Sequence, residues 1–262
     1  MFFLGIDIGS SSSKAVLIDE NKNILASAAR NIGTGTNGPS IVVQEVLEAA
    51  GIARDQIQFT VVTGYGRVNY TQADKQITEI SCHGKGIAHL IPGARTIIDI
   101  GGQDAKVIKL SQDGTVENFV MNEKCAAGTG RFLEVMARIL NCNINELSDL
   151  SLKSKHDIII SNTCTVFAES EVISQLAGGA SKEDVAKGAD NAIASRVAGL
   201  ARRIGIVPIV AMSGGVAMNP SVVASLSREI GEEITVAPHP QTVGALGAAL
   251  FALEAYQKKE KN

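Results

Sequence analysis

The sequence is poor in the residues that nucleic-acid-binding surfaces use. It contains no Trp, its aromatic residues make up 4%, and its formal net charge is −3 at pH 7. Proteins that stack bases on aromatic rings and neutralise phosphates carry more aromatic and basic residues. The composition therefore argues against a nucleic-acid partner.

Long apolar runs and secretory features are also missing. The first residues, MFFLGID, lack a basic segment, and their apolar run ends at Asp7. No run reaches the ~20 apolar residues that a membrane-spanning helix needs. We expect a cytoplasmic protein without a membrane partner, in which the four cysteines are thiols or metal ligands rather than disulfides.

Two stretches of the chain share one pattern. DIGSSSSK begins at Asp7 and DIGGQDAK begins at Asp99, and the lysine follows at the same spacing in both, at Lys14 and Lys106. An apolar run precedes each stretch, so each predicts a strand, a glycine turn and a second strand. A repeated β-hairpin indicates two related α/β domains.

Helical periodicity fills the segments that follow the hairpins. It predicts helices in VVQEVLEAAG, RFLEVMARIL, TVFAESEVISQLAGG, SKEDVAKGADNAIASRVAGLARRIG and TVGALGAALFALEAY, whereas GTGTNG is interpreted as a loop. We expect a first domain over residues 1–94 and a second over 95–243. A C-terminal helix over 244–262 is expected to pack back on the first domain.

The glycine turns carry groups that bind phosphate. Hydroxyls, an ammonium and exposed glycine backbone can all donate to phosphate oxygens. Asp7 and Asp99 lie at strand ends, where carboxylates can hold Mg²⁺. The chain has no GxxxxGK[ST] motif and no strand–GxGxxG–helix, which argues against P-loop and Rossmann sites. The candidate nucleotide-binding residues are Ser10, Ser11, Ser12, Ser13, Lys14, Gly101, Gly102, Gln103, Gly214, Gly215 and Asn219.

Four motifs together resemble the actin, Hsp70 and sugar-kinase superfamily. DIGSSSSK and DIGGQDAK match its phosphate loops, SGGVAMN its adenosine loop, and VGALGAAL its late connecting helix. The resemblance spans the chain and implies an α/β fold of two ribonuclease-H-like domains, with ATP or ADP and Mg²⁺ in a cleft between them. It adds Gln241 and Gly244 to the nucleotide-binding residues. Catalysis in such sites is positioning and charge neutralisation, and the candidate catalytic residues are Gln103, Asp104 and Asp7.

Two cysteines stand just before predicted helices, Cys125 in NEKCAAGTGR and Cys164 in SNTCTVFAESE. A helix N-terminus stabilises a thiolate or an anionic iron–sulfur cluster, and the small residues after Cys125 leave room for one. Cys142 lies at the far end of the same predicted helix, roughly 25 Å from Cys125, and Cys82 is interpreted as a buried thiol. A four-thiolate cluster would need two chains around a two-fold axis. On spacing alone, inert cysteines are the favoured alternative.

Longer segments around these cysteines are similar to a narrower family. NEKCAAGTGRFLEVMA, SNTCTVFAESEVISQL, TGYGR, ADKQITEISCH and IDIGGQDAK resemble the activators of 2-hydroxyacyl-CoA dehydratases, which are related to the ATPase subunits of benzoyl-CoA reductase. The resemblance implies a homodimer that holds one 4Fe–4S cluster through Cys125 and Cys164 of both chains. It also implies ATP-dependent transfer of one electron from ferredoxin or flavodoxin to a partner dehydratase under anaerobic conditions.

Two other functions stay open at this point. A small-molecule kinase of the sugar-kinase type would use the same phosphate loops, although no acceptor pocket with an Asp base is identifiable in the sequence. A metal-free, actin-like ATP switch would bind partners without an iron–sulfur cluster. Iron content separates both alternatives from the activator.

Overall fold

The chain forms both strands and helices, as the α/β prediction requires. The computed structural model describes residues 1–123 and 125–261. The strands are β1 (Phe2–Ile8), β2 (Ser13–Asp19), β3 (Ile24–Arg30), β4 (Ile57–Thr63), β5 (Lys75–Gln76), β6 (Thr96–Ile100), β7 (Ala105–Leu110), β8 (Val116–Asn122), β9 (Val210–Ser213) and β10 (Ile234–Val236). The α-helices are α1 (Gly38–Ala50), α2 (Glu79–Leu90), α3 (Gly130–Leu140), α4 (Leu147–Ser151), α5 (Thr165–Ala177), α6 (Lys182–Ile204), α7 (Pro220–Ile230) and α8 (Val243–Glu260).

The repeated sequence pattern forms the same antiparallel hairpin twice. In the β1–β2 hairpin, Asp7 lies opposite Lys14. In the β6–β7 hairpin, Asp99 lies opposite Lys106. The equal spacing of aspartate and lysine therefore corresponds to equal register, and both predicted hairpins are confirmed.

The two sheets also share their strand order. The first runs β3-β2-β1-β4-β5, and the second, read from the matching edge, runs β8-β7-β6-β9-β10. In each sheet the strand after the helical segment, β4 or β9, lies parallel to the first strand of the hairpin. The chain forms two compact units. Unit 1 contains Met1–Ala94, Leu110–Glu117 and the chain from Ala237, and unit 2 contains Arg95–Lys109 and Asn118–Val236.

Helices cover both faces of the sheet in unit 1. Side chains of β1 alternate between faces, so Phe3 packs in one apolar cluster with α8, while Leu4 and Ile6 pack in another with α1. A Cβ on Gly5 would lie 2.0 Å from the carbonyl oxygen of Ala245. The glycine therefore lets the backbone of α8 lie directly on β1, as the small residues of that helix predicted.

A single apolar cluster joins the sheet and helices of unit 2. Residues of β6, β7 and β9 pack there against α3, α5, α6 and α7. The stripe on α3 that the sequence predicts, including Phe132, Met136 and Leu140, is buried. Among residues 1–123 and 125–261, no helix is long and apolar enough to cross a membrane.

Candidate functional site

The turns of the two hairpins have the same backbone geometry. The amide of Gly9 donates to the carbonyl of Ser12 at 2.9 Å, and the amide of Gly101 donates to the carbonyl of Asp104 at 2.9 Å. Exposed or half-buried residues at the tips supply hydroxyl and amide groups suited to phosphate oxygens. These tip residues are Ser10, Ser11, Ser12, Gly102 and Gln103.

Ser13 does not join the other three serines at the first turn. It is the first residue of β2 and is fully buried. Its hydroxyl donates to the carbonyl of Ile32 at 2.7 Å. The structure therefore brings three of the four predicted serine hydroxyls together, whereas the fourth forms a hydrogen bond inside the fold.

An aspartate–lysine ion pair lies at the base of each turn. Lys14 Nζ lies 3.3 Å from Asp7 Oδ2, and Lys106 Nζ lies 3.1 Å from Asp99 Oδ2. The Lys14 side chain is 16% exposed, whereas the Lys106 side chain is 4% exposed. Lys106 is thus an internal counterion, and Lys14 is the ammonium that a bound phosphate can reach.

Asp99 has both of its carboxylate oxygens engaged. Lys106 contacts Oδ2, and the hydroxyl of Ser213 donates to Oδ1 at 2.8 Å. Lys106 also contacts Asp104 Oδ2 at 2.5 Å. A Mg²⁺ ion on Asp99 would have to displace these buried partners. Asp99 therefore does not fit as a direct metal ligand. Apart from the repeated spacing of Asp99 and Lys106, no sequence pattern indicated that Lys106 and Ser213 are its partners.

Asp7 lies beside the start of the last helix. A Cβ on Gly244 would lie 3.1 Å from Asp7 Oδ2 and 3.0 Å from Nε2 of the buried His83. The close approach at this position favours glycine, and it places His83 near Asp7, which sequence reasoning did not predict. Gln241 lies in the short 3₁₀ turn Pro240–Thr242 just before the helix. The ion pair uses Oδ2 of Asp7, so Oδ1 fits Mg²⁺ held directly or through water.

The predicted adenosine loop runs from Gly214 to Asn219 in unit 2. Gly214 has φ +88°, and a Cβ there would lie 2.3 Å from the carbonyl oxygen of Ile100. Only glycine fits such a position. Gly215 and Met218 are exposed, while Asn219 ends the loop and caps helix α7. The loop thus offers an exposed glycine surface on a tightly held backbone.

Cys125 and Cys164 come together in unit 2. Cys125 Sγ lies 3.8 Å from the carbonyl oxygen of Thr163, the residue before Cys164. Both cysteines are half-buried, and neither forms a disulfide. Cys164 is the N-cap of α5, as predicted. One chain therefore carries two half-buried cysteines on segments that contact each other.

Cys125 precedes helix α3 by five residues, and the helix predicted in RFLEVMARIL is confirmed to within one residue. Helix α3 begins at Gly130, after the N-cap Thr129. In between, Gly128 has φ +89°, and the hydroxyl of Thr129 donates to the carbonyl of Ala126 at 2.7 Å. These small residues form a tight turn between Cys125 and the helix. Cys125 therefore lies outside the first turn of α3, where the dipole of that helix acts.

The other two cysteines are poor ligand candidates. Cys82 is fully buried on α2, as predicted, and burial raises the pKa of its thiol to about 12. Cys142 follows α3, where burial also raises its thiol pKa. A raised pKa disfavours the thiolate that metals bind. Within the described residues, no group of three or more His, Cys, Asp or Glu is arranged to hold a metal ion.

The second phosphate turn is hydrogen-bonded to the start of α3. The amide of Gly130 donates to the carbonyl of Gly101 at 2.9 Å, and the amide of Arg131 donates to the carbonyl of Gly102 at 2.8 Å. The turn thereby satisfies two of the amides that a helix N-terminus leaves unpaired. A short segment, residues 125–130, therefore lies between the candidate phosphate turn and Cys125.

Known proteins resemble this chain over its whole length. A sequence profile of the BadF/BadG/BcrA/BcrD ATPase family matches residues 4–252. An activator of lactoyl-CoA dehydratase from Anaerotignum propionicum is 54% identical, over 99% of this chain and 100% of the relative. The (R)-2-hydroxyglutaryl-CoA dehydratase activating ATPase of Acidaminococcus fermentans is 50% identical, over 100% of this chain and 99% of the relative.

The fold comparison agrees with the sequence comparison. The structure of an activator of 2-hydroxyisocaproyl-CoA dehydratase from Clostridium difficile, with bound ADPNP, superposes with a TM-score of 0.97. It is 51% identical and covers 100% of this chain and 97% of that one. The actin-like ATPase fold predicted from the four motifs is confirmed. The chain is an ATPase that belongs to the BadF/BadG/BcrA/BcrD ATPase family.

Proposed function

We propose that this ATPase activates a 2-hydroxyacyl-CoA dehydratase by passing it one electron from a reduced ferredoxin or flavodoxin. The relatives named above act on dehydratases of this class. The observation that carries the proposal is the contact between Cys125 Sγ and the carbonyl oxygen of Thr163, because Thr163 is the residue before Cys164 and the two cysteines therefore lie in contacting segments. A metal-free switch or a sugar-type kinase has no use for such a pair.

The two thiols fit one half of a 4Fe–4S site. Cys125 and Cys164 are half-buried and free of disulfides, and Ala126, Ala127 and Gly128 leave space for backbone to pack against a cluster. Such a cluster commonly takes four thiolates and, when bound, stores and passes one electron. Because Cys82 and Cys142 lie elsewhere with raised pKa values, the other two thiolates come from a second copy of the chain.

An exposed apolar face beside the cysteines supports a homodimer. Helix α5, which Cys164 caps, exposes Val166, Phe167 and Ile173, each more than half accessible. Monomeric proteins rarely leave large apolar side chains grouped on one helix in water. A two-fold axis near the start of α5 would bury this face and bring two pairs of cysteines together.

Each unit supplies its own nucleotide-binding groups in this proposal. In unit 1, Ser10, Ser11, Ser12 and Lys14 bind phosphate oxygens, and Asp7 is the candidate ligand for Mg²⁺, held directly or through water. In unit 2, the turn at Gly101–Asp104 binds phosphate and the loop Gly214–Asn219 binds the nucleoside. Gln103 is exposed at the tip of its turn and orients the attacking water. Positioning and charge neutralisation of this kind supply most of the rate in phosphoryl transfer.

Movement of the second phosphate turn can reach the cysteines through α3. The carbonyls of Gly101 and Gly102 hold the first amides of that helix, and Cys125 lies only a few residues before it. Loss of the γ-phosphate would therefore shift the segment that positions Cys125. Solvation and hydrogen bonding near a cluster set its reduction potential, so this shift links ATP hydrolysis to electron transfer.

The direct test is activation of a dehydratase. The anaerobically purified, dithionite-reduced protein is mixed with a 2-hydroxyacyl-CoA dehydratase, its substrate and ATP, and formation of the enoyl-CoA is followed. We expect turnover to begin only when both this chain and hydrolysable ATP are present.

Cysteine variants supply the control for this assay. Cys125→Ser should bind ATP normally and fail to activate, whereas Cys142→Ser should do both. ATP hydrolysis without activation of lactoyl-, 2-hydroxyisocaproyl- or 2-hydroxyglutaryl-CoA dehydratase would contradict the proposal.

A further inference from the structure

A buried carboxylate lies beneath the loop that we assign to the nucleoside. Asp190 on α6 is 0% exposed. Its Oδ1 lies 3.5 Å from Asn219 Nδ2, and its Oδ2 has no hydrogen-bond partner among the described residues. Carboxylates are almost never fully buried unless paired, so this one calls for a reason.

The surroundings of Asp190 are polar and carry little charge. The hydroxyls of Ser151 on α4 and Ser221 on α7 lie near it and are bonded to each other at 2.6 Å. The charged group that faces it is Lys187, on its own helix, whose ammonium also donates to Ser225 at 3.2 Å. No lysine or arginine salt bridge to Asp190 is formed within the described residues.

Stability does not account for this carboxylate. Burial raises the pKa of Asp190 to about 6, and the nearby hydroxyls and Lys187 offset only part of that rise. An ionised group in such a place destabilises the folded state at neutral pH. An asparagine would fit the same space without the cost of burying a charge. We therefore look for a role of the carboxylate other than stabilising the fold.

Asn219 is the residue on which Asp190 acts. The amide of Asn219 has an oxygen end and a nitrogen end of nearly the same shape, so either end fits the same space. Its Oδ1 accepts from the amides of Ser221 and Val222, both at 3.0 Å. A carboxylate accepts and does not donate, so Asp190 holds the nitrogen end toward itself and the oxygen end toward α7.

This orientation fixes the nucleoside loop. The backbone amide of Asn219 donates to the carbonyl of Val216 at 3.0 Å and closes the last turn of the loop. If the side chain of Asn219 loses its place at the start of α7, that turn loses its anchor. The geometry points to Asp190 as a positioning residue for ATP binding, which acts through Asn219 on the loop Gly214–Asn219. The inference rests on the proposed assignment of this loop to the nucleotide.

The absence of tryptophan from the chain allows a specific reporter. Met218 is 63% exposed on the loop, so Met218→Trp places a single fluorophore there. ATP is titrated against this variant by fluorescence and, independently, by calorimetry. Asp190→Asn is then added to the same background. The asparagine keeps an oxygen that can accept from Asn219 but carries no charge. We therefore expect the Kd for ATP to rise about fivefold, the difference between a hydrogen bond to a charged acceptor and one to a neutral acceptor, with KM raised more than kcat is lowered.

Two further variants separate positioning from structure. Asp149→Asn neutralises an exposed carboxylate on α4 and should leave the Kd unchanged. The double variant Asp190→Asn/Asn219→Asp exchanges donor and acceptor while keeping a capping oxygen on α7. It should recover most of the lost affinity. Melting temperatures at pH 8 should not fall in Asp190→Asn.

Three results would overturn the inference. The first is a fluorescence response to ATP in Asp190→Asn with a Kd within about twofold of the Met218→Trp background. Such a change is smaller than the weakening of one charge-assisted hydrogen bond would cause. The second is a weaker affinity for ATP that accompanies a lower melting temperature of Asp190→Asn and disappears at temperatures where the variant is fully folded. The third is ATP binding by calorimetry without any fluorescence change of the Met218→Trp reporter. This result would show that the loop Gly214–Asn219 does not bind the nucleotide, and it would remove both the loop assignment and the role of Asp190.

Discussion

The two units begin with the same hairpin and diverge after their third strand. In unit 1, residues 31–56 between β3 and β4 contain α1. In unit 2, the described part of residues 123–209 between β8 and β9 contains α3, α4, α5 and α6. Cys125 and Cys164 both lie in this longer segment. In the proposed function, phosphate binding therefore belongs to the sheet and turns that both units share, whereas the thiols lie in a segment that is longer in unit 2.

In both units, nevertheless, the hairpin turn is hydrogen-bonded to the segment that follows the third strand. In unit 1 the amide of Thr34 donates to the carbonyl of Gly9 at 3.0 Å, and in unit 2 the amide of Gly130 donates to the carbonyl of Gly101 at 2.9 Å. The longer segment in unit 2 therefore starts from the same contact to the phosphate turn. That placement gives the thiols a direct structural connection to bound nucleotide in the proposed mechanism.

The largest expected difference concerns iron. Replacing Cys125 or Cys164 with Ser should remove essentially all iron and acid-labile sulfide, because a cluster that loses two of its four thiolates across a dimer is not retained. Cys82→Ser in unit 1 and Cys142→Ser in unit 2 should keep the wild-type content. Iron retained by Cys164→Ser, measured on anaerobically purified protein, would place the cluster elsewhere.

Removing the lysine of each hairpin should affect the units differently. Lys106→Met leaves Asp99 and Asp104 without their buried counterion and should lower the free energy of unfolding by about 3 kcal/mol or more. Lys14→Met affects a more exposed pair, so we expect a loss of about 1 kcal/mol together with weaker ATP binding. Urea unfolding with ATP titrations would check both, and equal losses of stability would contradict the comparison.

The glycines after the parallel strands offer a matched test. Gly64 and Gly214 have φ +86° and +88°, and a Cβ on each would lie within 2.5 Å of a backbone carbonyl. Gly64→Ala and Gly214→Ala should each destabilise by about 2–3 kcal/mol. Gly51 and Gly231 also have positive φ, but a Cβ there meets nothing within 4 Å. Alanine at either should cost about 1 kcal/mol, as thermal unfolding would show.

The last prediction concerns pH and Asp190, which lies beneath the loop of unit 2. Because burial raises the folded-state pKa of Asp190 to about 6, its contribution favours folding at low pH and is lost as pH rises from about 4 to about 6. Asp190→Asn should therefore be more stable than the wild type at pH 8, by up to about 3 kcal/mol, and lose this advantage at pH 4. An advantage that does not change between pH 4 and pH 8 would mean that the pKa of Asp190 is the same in the folded and unfolded states.

Local patterns predicted most of the fold. Alternation and equal aspartate–lysine spacing predicted both hairpins and their register, and apolar periodicity predicted α3, α5, α6 and α8. Helix α2 was missed because its apolar positions are interrupted by Gly84 and Gly86, although Thr78 accepts a hydrogen bond from the amide of Ser81 as an N-cap does. A small-residue helix packed in an interior lacks the amphipathic pattern that sequence reasoning uses.

Contacts between residues far apart in the chain could not be predicted from the sequence. The glycine turns and cysteines were identifiable, but nothing local indicated that Ser13 would turn inward to Ile32 or that Asp190 would meet Asn219. The start of α3 was predicted to within one residue, but the positive φ of Gly128 in the turn before it was not. Such contacts depend on how elements pack, which composition and spacing do not encode.

The most direct test of the central claim is the composition of the anaerobic protein in solution. Mass is measured by light scattering, and iron and acid-labile sulfide are counted per chain in the same sample. We predict a dimer with about two irons and about two sulfides per chain, as one 4Fe–4S cluster shared by two chains requires. A colourless, iron-free protein that still hydrolyses ATP would contradict the electron-transfer function.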